Sequence, residues 1–193
     1  MKILFKNATL IHEKSPFHNQ QKDVLVVDGI LTQIDNFIEE SEATVVELED
    51  LHLSSGWFDP CVSFGEPGYE ERETLANGLL TAAKSGFTHI VLNPDTQPVL
   101  DSFTDVSHLL QKSEKNTTSL HISASLSEDS AGSNMAPLYE MHQAGAVAFG
   151  DFNQVMKNPN LLRIALDYVK SFDGLIQAYP LDGTLNTNGQ MHE

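Results

Sequence analysis

The hydrophobic pattern changes character once along the chain, near residue 55. Before that point the apolar positions fall in short runs rich in Val, Ile and Leu, at residues 2–6, 23–27, 30–34 and 44–48. Runs of this length and composition are typical of β-strands. Asp28-Gly29 separates the second from the third, and such a pair tolerates the positive φ of a two-residue hairpin turn. Residues 1–54 are therefore expected to form a small β domain, a sandwich or a meander. After residue 55 the period alternates. A helix is expected over 73–84, with Leu75, Leu79, Leu80 and Ala83 on one face and Gly86 where a helix-ending glycine belongs. Strands are expected at 88–92, 120–124, 145–149 and 175–178, and helices at 105–112, 135–143 and 160–171. Strand–helix alternation at this spacing argues for parallel βαβ units. A complete (β/α)8 barrel needs about 250 residues. Residues 55–193 therefore reach about half-way round a barrel or make an open sheet. The polar stretch 186–193 reads as a loop within a fold rather than as its end, so the chain is expected to be a fragment or a half that needs another chain.

Composition narrows the function classes. Of the 193 residues, 40% are hydrophobic, enough for a core, and the net charge is −16. A polyanion repels phosphate backbones and anionic lipid, so no nucleic-acid or membrane-surface role is expected. The densest acidic stretch, from Glu39 to Asp50, reads as a solvated surface. Cys61 is the one cysteine, so an intrachain disulfide is impossible, which suits a reducing compartment. The first residues lack the apolar core of a signal peptide, and no apolar run approaches the roughly 20 residues of a membrane span. A cytoplasmic location is expected.

Candidate chemistry is sparse. The loop at 59–70 follows the first strand of the α/β part, and in such folds function lies beyond the carboxyl ends of strands. The eight histidines include no H-x-H or H-x3-H pair, so no zinc spacing is present. Cys61 is a nucleophile only if a base lies beside it, and otherwise behaves as a small hydrophobe. Asp151 follows the strand ending at Phe149. It reads either as a helix cap or loop acid, or as a functional carboxylate, although one carboxylate alone holds a divalent metal poorly.

Several segments together resemble the dihydroorotases of the amidohydrolase superfamily. Asp59-Pro60-Cys61-Val62-Ser63-Phe64-Gly65-Glu66-Pro67-Gly68 resembles that family's Asp-Pro-His-Val-His-Phe-Arg-Glu-Pro-Gly motif at the end of the first barrel strand. Ala82-Ala83-Lys84-Ser85-Gly86-Phe87-Thr88 resembles the following helix-to-strand step. Asn93-Pro94-Asp95-Thr96-Gln97-Pro98-Val99 is similar to Met-Pro-Asn-Thr-x-Pro-Val, and residues 145–149 resemble the stretch before an acidic pair. The resemblance implies a small β domain followed by the first strands of a TIM-like barrel. The activity it implies is interconversion of carbamoyl-aspartate and dihydroorotate on a metal, usually zinc, that polarises the carbonyl and activates water.

Carried over residue by residue, the same resemblance implies a dismantled site. The two histidine ligands correspond to Cys61 and Ser63. The substrate-binding arginine and asparagine correspond to Gly65 and Asp95, and a later ligand histidine corresponds to Tyr179. Asp151 alone matches the acidic ligand region, with Phe152 beside it. Turn and packing residues (Gly56, Asp59, Pro60, Glu66, Pro67, Gly68, Pro94, Thr96, Pro98) match. The expectation is a catalytically inactive relative that needs no cofactor and serves as a scaffold or regulatory subunit. The resemblance points to aspartate carbamoyltransferase as partner, with self-association as the other possibility. The alternative is an active cyclic-amide hydrolase, with zinc, on an altered site using Cys61 and Asp151.

Overall fold

The computed structural model describes residues 1–156 and 158–181. The polar stretch 186–193 and Asp182 lie outside them. The chain packs as two compact units, Met1–Gly56 and Trp57–Glu193.

In the first unit, β1 (Lys2–Ile11), β2 (Gln21–Val27), β3 (Ile30–Asp35), β4 (Thr44–Val46) and β5 (His52–Ser54) form one sheet. Its order is β3-β2-β1-β4, with β5 also paired to β1. The β1–β2 and β2–β3 pairs are antiparallel, while β4 and β5 run parallel to β1. Asp28 and Gly29 hold φ of 51° and 81°, as the turn chemistry of that pair predicts. β1 continues well past the expected residues 2–6. The register slips between Phe5 and Ala8, and Asn7 sits there at φ 51°. The buried carboxylate of Asp23 explains the bulge. It accepts the Asn7 N–H at 3.0 Å, the Ile38 N–H at 3.0 Å and the Lys6 ammonium at 2.8 Å. Burial pushes the Asp23 carboxyl up, but these three donors outweigh it and hold it below its ordinary value. Leu4, Leu25 and Ile38 form the small core beside it.

The second unit begins with β6 (Trp57–Val62) and continues α1 (Leu75–Lys84), β7 (Phe87–Leu92), α2 (Phe103–Ser113), β8 (Ser119–Ala124), α3 (Leu138–Ala144), β9 (Ala146–Phe149) and α4 (Pro159–Val169). The four strands are parallel in the order β6-β7-β8-β9. This is the expected βαβ series. The strand expected at 175–178 is reduced to a single parallel bridge from Ile176 to Phe149, tied by Phe149 N–H to Leu175 O and Gln177 N–H to Phe149 O. Three helices start where a side-chain oxygen accepts a first-turn N–H: Thr74 for α1, Ser102 for α2 and Asn158 for α4. α3 starts at Leu138 rather than near 135 because Pro137 disfavours helical φ/ψ at the residue before it.

One face of this sheet is apolar and covered by helices. Ile90, Leu92, Leu120, Ile122, Ala124, Ala146 and Phe149 pack against Leu75 and Leu79 of α1, Val106 and Leu109 of α2, Leu138 and Met141 of α3, and Ala165 and Val169 of α4. Burying each such large side chain contributes about 1.5–3 kcal/mol. The alternate positions, pointing to the other face, read His89 and Val91 on β7, with Asn93 just beyond it, and Ser119-His121-Ser123 on β8. In a closed barrel that face is a core of branched apolar side chains; here it is largely polar.

Candidate functional site

The carboxyl ends of β6 to β9 and the loops beyond them carry every residue singled out above from Cys61 to Asp151. The loop after β6 is held by Glu66. Its buried carboxylate accepts the Leu75 N–H at the start of α1 at 2.7 Å and pairs with the Lys112 ammonium on α2. Burial pushes this carboxyl up, and the Lys112 and Leu75 hydrogen bonds together bring it below its ordinary value. Glu66 thus ties three segments together from the foot of a helix, where a carboxylate is favoured. Two residues on, Gly68 has φ +96°, and a Cβ there would lie 2.1 Å from the Gln97 carbonyl oxygen. Gln97 N–H in turn donates to Pro67 O at 2.9 Å. The loops after β6 and β7 are therefore packed backbone to backbone.

Gly65 has a backbone reason of its own. Its φ is +117°, and a Cβ would meet the Tyr69 carbonyl oxygen at 2.5 Å and Arg72 Cβ at 3.3 Å. An arginine, which the resemblance implies at this position, does not fit this loop conformation.

Cys61 and Ser63 come together, through a residue the sequence reading missed. Asn93, buried at the end of β7, places its amide nitrogen 3.3 Å from Cys61 Sγ and 3.2 Å from Ser63 Oγ. The carboxamide spans the two positions where the resemblance implies imidazole ligands. The signal was the period-2 alternation of β7, which sets Asn93 on the same face as His89 and Val91.

Asp151 sits apart from that cluster in its bonding. Its side chain is buried, and its Oδ1 accepts the Leu126 and Ser127 N–H groups, each at 2.9 Å, with Ser125 Oγ also at 2.9 Å. Its Oδ2 accepts the Ser127 hydroxyl at 2.5 Å. Both oxygens are occupied, and the carboxylate orders the loop after β8. Tyr179 lines a small crevice with Asp151 and Gln177, and is itself 43% exposed.

The histidines on the polar face form one pair. His89 Nδ1 and His121 Nε2 are 3.1 Å apart, with the rings stacked at 5.3 Å. Burial first, and the neighbouring His89 second, lower the pKa of His121. Neither ring is bonded to Cys61 or Asp151.

Zinc, which the resemblance implies, does not fit these residues. A thiol and a hydroxyl are bridged by a carboxamide, and the carboxylate accepts hydrogen bonds at both oxygens. Among the described residues no three His, Cys, Asp or Glu side chains are grouped to hold a metal ion. A catalytic zinc site normally needs three protein ligands.

The loops after all four strands enclose a polar cleft of about 480 Å³. Asp95 and Asp151 both line it, as does Arg72, which the sequence reading also missed. No family model matches the chain. Curated relatives do. The dihydroorotase of Pelotomaculum thermopropionicum is 31% identical over 193 residues, covering 100% of this chain and 45% of that protein. That of Syntrophus aciditrophicus is 32% identical over 196 residues, with 100% and 46% covered. The chain is similar to these dihydroorotases along its whole length. It spans a little under half the length of these family members. Solved structures agree on the fold. The dihydropyrimidinase of Brevibacillus agri superposes with a TM-score of 0.72 at 19% identity, over 97% of this chain and 41% of that one. A D-hydantoinase gives 0.70 at 18%, over 93% and 40%. The dihydroorotase family resemblance and the α/β architecture expected from the sequence both stand. Among the described residues no helix is long and apolar enough to cross a membrane.

Proposed function

We propose that this chain is a non-hydrolytic dihydroorotase-family protein that acts as a scaffold or regulatory subunit in pyrimidine biosynthesis. One observation carries the reading. The polar groups at the family's metal positions are spent on internal hydrogen bonds, Cys61 and Ser63 on Asn93, and Asp151 on the segment 125–127. Each of these groups is engaged in ordering its own loop, and among the described residues no three His, Cys, Asp or Glu side chains gather to hold a metal. The altered hydrolase built on Cys61 and Asp151 finds no support in a carboxylate with both oxygens occupied. No resident cofactor is called for.

The proposed partner is aspartate carbamoyltransferase, with a second copy of the chain as the other choice, in the cytoplasm. Support comes from the exposed apolar residues Trp57 and Phe58 on β6, 62% and 57% accessible, on a strand at the edge of its sheet. The test is hydrolysis of dihydroorotate by the purified chain with zinc supplied, beside light scattering with and without aspartate carbamoyltransferase. The expected result is no turnover above buffer and a mass increase with the transferase. Zinc-dependent turnover overturns the non-hydrolytic reading. A monomer in both scattering runs overturns the scaffold.

A further inference from the structure

We propose that the cleft at the carboxyl ends of β6 to β9 binds a small zwitterion of the amino-acid class, its carboxylate on Arg72 and its ammonium or amidinium on Asp95. The proposal rests on the non-hydrolytic reading above and assigns that site a ligand. Three independent observations carry it. First, Asp95 Oδ1 is buried and has no hydrogen-bond partner, whereas both oxygens of Asp151 on the same cleft accept hydrogen bonds. A buried acceptor without a partner is rare and asks for a donor. Second, Arg72 stacks over the Tyr69 ring at 4.3 Å, both line the cleft, and among the described residues the guanidinium enters no ion pair. Stacking fixes the plane of the fork and leaves its N–H groups to take a carboxylate. Third, Asp129, Ser130 and Phe152 line the same cleft at φ of 54°, 52° and 51°. Non-glycine residues in this region cluster where function retains them.

The charges select the ligand. A dicarboxylate finds one cation in Arg72 and meets repulsion from Asp95 and Asp129, in a chain of net charge −16. A zwitterion offers a carboxylate to Arg72 and a cation to Asp95. A cleft of about 480 Å³ is of the size that holds small metabolites.

The experiment is isothermal titration calorimetry of the chain with each standard amino acid and with carbamoyl-aspartate. The result expected is that at least one amino acid binds at millimolar concentration or below, and carbamoyl-aspartate more weakly. Arg72→Ala and Asp95→Asn each weaken the amino acid by about tenfold or more, and Asp95→Asn improves carbamoyl-aspartate. Arg72 is exposed, so its variant keeps the fold and the test does not depend on Asp95 alone. The proposal is overturned if no amino acid binds, if both variants leave affinity unchanged, or if carbamoyl-aspartate binds the unaltered chain best. Zinc-dependent turnover of dihydroorotate would instead sink the non-hydrolytic reading, and the two failures are read from different instruments.

Discussion

Two carboxylates line one cleft and differ in almost every respect that matters. Asp151 is buried and bonded through both oxygens to the segment 125–127. Asp95 is part-exposed yet holds one oxygen buried without a partner. From sequence, Asp151 looked like the surviving piece of a metal site, and Asp95 like a damaged substrate position. Their bonding reverses the emphasis. The residue that matches the family is fully employed in holding a loop, and the one that departs from it is available. A matching residue type therefore says little about chemistry until its hydrogen bonds are counted.

Substitutions at and around these two residues separate the structural from the available groups. Asp151→Ala is expected to be the most damaging, because it strands the Leu126 and Ser127 N–H groups and the Ser127 hydroxyl in the interior. The cost should be about 3 kcal/mol or more in urea-denaturation stability. A loss under about 1 kcal/mol would show that the carboxylate is not the cradle's keystone. Gly65→Arg comes next. It recreates the residue implied by the resemblance, but the φ of +117° and the contact with Tyr69 O oppose it. A loss of about 1–3 kcal/mol is expected, with no gain in carbamoyl-aspartate binding. Glu66→Gln removes the pair with Lys112 and weakens the α1 cap, for about 1–2 kcal/mol by thermal melting.

Acidity gives a smaller, graded effect. The His121 pKa is lowered in the folded protein, so the unfolded chain takes up that proton first. The His121 contribution is full above the unfolded value of about 6.5 and is lost as pH falls through the folded value. Asp23 and Glu66 are also lowered from ordinary carboxylate values. Their stabilisation is present above about pH 4 and is lost at lower pH. Denaturation midpoints should therefore fall in two stages, and His121→Asn should remove the first. The smallest effect is expected at Asp95→Asn, within about 0.5 kcal/mol of the unaltered chain. A large loss there would place Asp95 with Asp151 among the structural groups and erase the contrast.

Most of the frame was legible in the sequence, because periodicity and punctuation are local. The βαβ alternation, the Asp28-Gly29 turn and the helix-ending Gly86 all read directly. What failed to read depends on partners distant in sequence. β1 looked short because Asn7 breaks the alternation, and only Asp23 on the neighbouring strand explains how it continues as a bulge. Asn93 is unremarkable in a row of residues, and gains meaning only when β6 and β7 lie side by side with Cys61 and Ser63. Ser125 and Ser127 resemble any polar loop until Asp151, from the next strand end, closes on them. Arg72 lies in an ordinary charged run, and its place beside Tyr69 follows from the tight turn at Gly65.

The most direct test of the central claim is zinc binding by the purified chain at neutral pH, by calorimetry and by metal content after dialysis. Zinc well below one equivalent is expected, unchanged by Asp151→Asn. One tightly held equivalent, lost in that variant, would contradict it.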